Sequence, residues 1–268
     1  MSAASWHLRP MALYDVESTG VDPLRDRIVT ATIVRTTPDQ TPRFQAASWL
    51  VSPVIDIPEA ATRVHGITTD AAVASGVDIA GAAHEIADHL VALSRSGLPV
   101  VGHNVRYDLT MLWAELTRCG DPLADAIRSL RPVICTMTLD KWVDPWRPKA
   151  PTAKRPDPAK CGSRRLVDTA RVWGIPVDDS QTHGSEYDAL LAGRLAWAIA
   201  QAKPGAAIPV GELHDALVGI AREQAEGLGA WLTKQGRVDD VAREWPIQVP
   251  PHDWSPDQLP IQREDIPV

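Results

Sequence analysis

The chain opens with short apolar runs of strand character and changes to helical spacing after Pro58. In Met11-Ala-Leu-Tyr-Asp-Val-Glu17, alternation puts Met11, Leu13, Asp15 and Glu17 on one face of a strand and Ala12, Tyr14 and Val16 on the other. Ser18-Thr19-Gly20 reads as its turn. Arg27–Arg35 and Gln45–Ser52 are β-branched or apolar and short, which predicts a second and a third strand. The links between them are too short for helical crossovers, so the three form an antiparallel meander.

Beyond Pro58 a short helix is predicted over Glu59–His65, followed by Gly66–Asp70, and a longer one over Asp78–Leu93 with Ile79, Ala83, Ile86 and Leu90 at helical spacing. Leu98–Gly102 is a short buried strand. Asn104 is the expected N-cap of a helix through Cys119, whose apolar face holds Leu109, Leu112, Trp113 and Leu116. Pro132–Met137 is a fifth strand that runs into a helical turn near Leu139–Trp142, and helices follow over Arg164–Trp173 and Ala189–Ala200. Strands followed by alternating strands and helices predict an α/β domain over residues 1–204, with a mixed five-stranded sheet flanked by helices.

Residues 205–268 form a C-terminal extension. Within Gly211–Gly236, Leu213, Leu217, Ile220, Leu228, Trp231 and Leu232 make the stripe of an amphipathic helix, which lies on the main domain or on a partner. From Trp245 the tail is proline-rich and extended, with Trp245 and Trp254 as anchors.

Composition narrows the class. The 268 residues are 44% hydrophobic and 23% charged, ordinary for a soluble globular protein. No apolar run approaches the ~18 residues of a membrane span and no signal peptide is visible, so a cytoplasmic protein without a membrane partner is expected. The scattered Cys119, Cys135 and Cys161 argue against a disulfide framework or a zinc site. The net charge of −7 disfavours a polyanionic partner at first sight, but carboxylates gathered around metal ions count as negative in the sequence and become neutral when the ions bind. Arg147–Arg165 carries Arg147, Lys149, Lys154, Arg155, Lys160, Arg164 and Arg165 against the single acid Asp157. It is either a solvated loop or a flap that contacts phosphate.

Asp15 and Glu17 end an apolar strand face, where charge is costly unless something positive meets it. A hard dication suits such oxygen-only ligands; the alternative is a strand that emerges into solvent at Asp15. Asp108 falls in the first turns of its helix, either pointing back toward the strand ends or merely favoured by the helix dipole. Ser185 and Asp188 have the spacing of a capping box. His183, ~140° from Asp188 on an ideal helix, is better placed on the preceding loop.

Taken together, Tyr14-Asp-Val-Glu-Ser-Thr-Gly20, Gly102-His-Asn-Val-Arg-Tyr-Asp108 and His183-Gly-Ser-Glu-Tyr-Asp188, with Val64-His-Gly-Ile-Thr68, resemble the motifs of the DnaQ-like, or DEDDh, 3′-to-5′ exonucleases over roughly Met11–Ala202. Ser185 stands where family members often carry alanine. Glu223–Leu232 and Arg243–Pro246 resemble exonucleases of actinobacteria and their phages, which places the protein in a bacterial or phage-infected cell. The resemblance implies a ribonuclease-H-like fold and a two-metal phosphodiesterase using Mg²⁺ or Mn²⁺. It makes Asp15, Glu17, Asp108 and Asp188 the metal ligands and His183 the general base. Val16, Ser18, Thr19, His65, Ile67 and Asn104 would contact the substrate. The expected substrate is a DNA 3′ end, with a DNA polymerase or replication protein as a further partner in proofreading or repair. RNA is the rival substrate, since nothing in the chain senses a 2′-hydroxyl unambiguously. A non-catalytic nucleic-acid-binding or polymerase-tethering module is the alternative from a different class.

Overall fold

The computed structural model describes residues 5–37, 44–145, 147, 162–203, 206 and 208–257. The predicted meander is present as β1 (Ala12–Ser18), β2 (Ile28–Thr36) and β3 (Phe44–Ser52), paired antiparallel. After helix α1 (Glu59–His65) and helix α2 (Thr69–Ser75) comes β4 (Val77–Asp78), which adds a parallel edge to β3. Helix α3 (Ile79–Arg95) leads to β5 (Val100–Gly102), and α4 (Arg106–Arg118) and α5 (Leu123–Arg128) to β6 (Val133–Cys135). The sheet is ordered β4-β3-β2-β1-β5-β6, six strands rather than five. The extra strand is two residues long, too short to carry a periodicity.

Helices α6 (Thr136–Val143), α7 (Leu166–Val172), α8 (Ser185–Ala202) and α9 (Val210–Lys234) complete the chain. Asp78 caps α3, accepting the Gly81 amide at 3.0 Å, and Thr68 caps α2 through the Ala71 amide at 3.2 Å. The expected cap of α4 is not made. Asn104 sits at φ 63 and offers its backbone carbonyl, not its side chain, to the Tyr107 amide.

Alternation along β1 separates two cores as the pattern required. Ala12, Tyr14 and Val16 pack with residues of α3, α4 and α5, while Met11 and Leu13 pack with α8 and with Leu213 and Leu217 of α9. Helix α9 therefore lies on the main domain, over α6 and β6. Its stripe is only partly covered: Leu228 and Trp231 remain exposed. The tail crosses to the other face. Ile247 enters the core beside α4, the Gln248 amide donates to Thr110 Oγ1, and Trp254 lies 5.4 Å from Trp113 and donates to the Leu24 carbonyl.

Close approach of α8 to β1 depends on Gly193. A Cβ there would stand 2.6 and 2.8 Å from the two terminal methyls of Leu13, itself buried. Gly193→Ala is expected to lower stability by ~1–3 kcal/mol through overpacking, read from the midpoint of urea denaturation. An unchanged midpoint would mean that the helix tolerates a wider separation from the strand.

Candidate active site

Four carboxylates from three distant segments meet at one edge of the sheet. Asp15 and Glu17 come from the end of β1, just before a bulge between Glu17 and Ser18. Asp108 enters from the first turn of α4, where its Oδ1 accepts the Val16 amide at 3.1 Å and ties the helix to the strand. It points back toward the strand end, not out along the helix dipole. Asp188 lies in the first turn of α8, and its Oδ2 accepts the His183 amide at 3.2 Å. Its Oδ1 is buried without a partner.

His183 precedes the helix at φ 66, a left-handed conformation, with its side chain exposed. Ligand atoms of Glu17, His183 and Asp188 all lie within 4.8 Å of one another. The expected capping box is not made. Ser185 is the first helical residue, with Gly184 at the cap, and its hydroxyl meets Thr32 Oγ1 at 2.8 Å and Thr30 Oγ1 at 3.3 Å. A tertiary partner has replaced the local one.

Among the described residues none of the four carboxylates forms an ion pair with lysine or arginine. Burial accordingly pushes Asp15 well up, and the charges of Asp108, Glu17 and Asp188 add to it. Glu17 is pushed up to about 8 by burial first, then by Asp188 and Asp108. Burial also raises Asp108, against its own amide and that of Val16, and raises Asp188, against the His183 amide and ring. A donor set dominated by carboxylates, a buried orphan oxygen and mutual repulsion fit hard dications.

Next to this edge lies an open cleft of about 770 Å³, whose walls include Glu17, Thr30, Leu50, His65, Ile67 and His183. His65 Nδ1 accepts the Ile67 amide, and its buried Nε2 has no hydrogen-bond partner. Burial holds His65 below its ordinary range, with the Ser18 backbone opposing and the His183 charge reinforcing that shift. Ser18 and Thr19 are less available. The Ser18 hydroxyl donates to the Gly20 carbonyl and lies 2.6 Å from Tyr107 Oη. The Thr19 hydroxyl donates to Asp26 and accepts the Arg27 amide. Val16 gives its amide to Asp108.

Sequence reasoning missed Tyr107 and the cleft wall on β2 and β3. The wall follows from the register, which pairs Glu17 with Thr30 and Asp15 with Thr32, and no local pattern reveals it. Of the basic segment, the described arginines have internal partners. Arg147 and Arg164 pair with Asp140, Arg147 also with Asp144, and Arg165 with Asp168. Trp173 Nε1 donates to the same Asp140. These three arginines fasten the segment's ends instead of forming a free flap; Lys149, Lys154, Arg155 and Lys160 lie outside the described residues.

A family model described as an exonuclease of the RNase T type matches residues 13–196, which span β1 and the carboxylate-bearing segments of α4 and α8. The chain belongs to this exonuclease family. No curated protein matches its sequence. Among solved structures, the zinc-bound complex of E. coli exonuclease I with single-stranded DNA aligns with a TM-score of 0.58 at 20% identity, over 83% of this chain and 45% of that one. E. coli exonuclease I with a dT13 oligonucleotide gives 0.58 at 20%, over 74% and 42%. The moderately thermophilic exonuclease I of Methylocaldum szegediense gives 0.57 at 22%, over 83% and 46%. The α/β fold is thus shared with exonuclease I, and the chain spans less than half the length of those proteins. No helix among the described residues is long and apolar enough to cross a membrane.

A raised carboxyl pKa means that the folded protein binds more protons than its unfolded chain, so the stability tied to the protonated form is full below the ordinary value and lost as pH rises. For Glu17 the window runs from 4.5 to about 8. Glu17→Gln removes this titration. In EDTA the variant's melting temperature is expected to exceed that of the wild type increasingly from pH 5 to pH 8, and Mn²⁺ should narrow the gap by stabilising the wild type. A gap independent of pH would contradict the buried, unpaired state of Glu17.

Proposed function

We propose that the chain is a metal-dependent 3′-to-5′ exonuclease of the DEDDh type that releases nucleoside 5′-monophosphates from DNA 3′ ends. The observation that carries this reading is the meeting of Asp15, Glu17, Asp108 and Asp188, none paired with a lysine or arginine among the described residues, with His183 beside two of them. Asp15, Glu17 and Asp188 would hold one divalent cation, with Asp15 and Asp108 directed at a second. Two Mg²⁺ or Mn²⁺ ions supply Lewis acidity for the phosphate, the leaving 3′-oxygen and the attacking water.

The residues of the chain do the rest. His183, exposed on its loop within reach of Glu17 and Asp188, takes the proton of the attacking water. The Asp188 carboxylate, bonded to the His183 amide, fixes where that loop leaves the helix. His65 and Ile67 offer the last nucleotide an imidazole and an apolar surface in the cleft. A terminal base must leave its stack to enter, so single-stranded or frayed ends are preferred.

The deciding assay uses 5′-labelled single-stranded DNA with Mg²⁺ or Mn²⁺, and with EDTA. A ladder shortening from the 3′ end, mononucleotide products and complete inhibition by EDTA are expected; binding without product would instead favour the non-catalytic module. Asp15→Ala and Asp188→Ala are expected to abolish cleavage, and His183→Ala to lower kcat by ~10²–10⁴. Wild-type turnover in His183→Ala would remove that residue from the mechanism. Faster degradation of a matched RNA oligomer would reassign the substrate.

A further inference from the structure

His183 owes its place to a short loop, Asp178–His183, that the first turn of α8 holds at both ends. At the start of the loop the Asp178 amide donates to Tyr187 Oη at 2.7 Å; at its finish the His183 amide donates to Asp188 Oδ2 at 3.2 Å. The two acceptors are neighbours on the helix, so α8 closes the loop that precedes it. Between the two ends the chain is bonded inward. Asp178 Oδ1 accepts the Ser180 amide at 3.0 Å and the Ser180 hydroxyl at 2.6 Å, Asp178 Oδ2 accepts Gln181 Nε2 at 2.8 Å, and the Thr182 hydroxyl donates to the Asp179 carbonyl at 3.0 Å. Asp179 pairs with Arg171 in the last turn of α7.

Asp178-Asp-Ser-Gln-Thr-His183 contains no hydrophobic residue, so polar contacts alone give this loop its shape. His183 at its end stands at φ 66, a conformation that a non-glycine residue keeps only where its surroundings hold it. With the Tyr187 contact gone, the α8 turn would grip the loop at the His183 end alone, and the imidazole would spread over more orientations. Tyr187 also lines the cleft, together with Gln181, His183 and Gly184. Its ring therefore faces the same space as the imidazole while its hydroxyl is spent on the loop.

We propose that Tyr187 is a positioning residue for His183: by holding the Asp178 amide, its hydroxyl keeps the loop closed and the imidazole within reach of Glu17 and Asp188. The inference rests on the nuclease reading above, in which His183 takes the proton of the attacking water. A general base contributes in proportion to the time it spends within hydrogen-bond reach of that proton, so a loosened loop lowers turnover without altering the carboxylates or the grip on the substrate.

The test is a double-mutant cycle of Tyr187→Phe with His183→Ala, assayed on 5′-labelled single-stranded DNA with Mn²⁺ and joined to amide hydrogen exchange over residues 178–183. Tyr187→Phe keeps the ring in the cleft and removes only the hydroxyl. It is expected to lower kcat about 3- to 10-fold, the range of one lost hydrogen bond, with the KM for DNA and the Mn²⁺ concentration for half-maximal rate unchanged. In the His183→Ala background the same change should leave kcat as it is, because the group it positions is gone. Exchange over residues 178–183 should be faster in Tyr187→Phe than in the wild type. Asp178→Ala, which strips the loop of three internal bonds, should likewise lower kcat in the wild-type background and not in His183→Ala. Equal fold-losses in both backgrounds, a raised KM in place of a lowered kcat, or unchanged exchange would overturn the positioning role and leave the nuclease standing. Wild-type turnover in His183→Ala, or wild-type protein inert toward DNA, would overturn the catalytic reading and this role with it.

Discussion

Burying a carboxylate costs several kcal/mol unless a positive charge or a set of donors meets it, and this sheet gathers four at one edge with no lysine or arginine among the described residues paired to any. The fold holds them there by backbone contacts. The Val16 amide fastens Asp108 and the His183 amide fastens Asp188, leaving Asp188 Oδ1 with nothing. Each carboxyl group rises above its ordinary pKa because burial disfavours its charged form, and for Asp15 and Glu17 the neighbouring carboxylates add to that rise. The cluster is therefore tolerable when protonated or when cations arrive from outside, and the second condition matches phosphodiester hydrolysis.

Other buried acids of the chain show what the alternative looks like. Glu115 is fully buried and accepts both Nε and Nη2 of Arg27 at 2.8 Å, with Arg118 Nη1 at 3.3 Å. Asp140 is met by Arg147, Arg164 and the Trp173 indole. These acids join elements and are neutralised within the fold. Neutralised acids are architectural, whereas the unneutralised ones mark the place where chemistry is expected.

Legibility of the site in the sequence followed the range of the interactions. The period of two along β1 is a local property, and it correctly divided Leu13 from Tyr14 between two cores. His183 was separable from the helix because the angular offset from Asp188 is also local. Local rules failed where a distant partner competed. Ser185 left the capping box because Thr32 reaches its hydroxyl, and Asn104 left its cap for a left-handed turn. The basic segment read as either a solvated loop or a flap, and at its described ends Arg147, Arg164 and Arg165 found acids on α6, on α7 and just past the end of α6.

By itself, the sequence determined which side of each strand is apolar, where the main helices run, and that acidic residues stand at element ends. Those facts depend on backbone periodicity and on neighbours within a few residues. Only the tertiary structure decided that those ends coincide and that β2 and β3 supply a cleft wall. The placement of β1 between β2 and β5 determines both. It is settled by burying both faces of the sheet at once, a requirement on the whole chain that no short stretch of sequence carries.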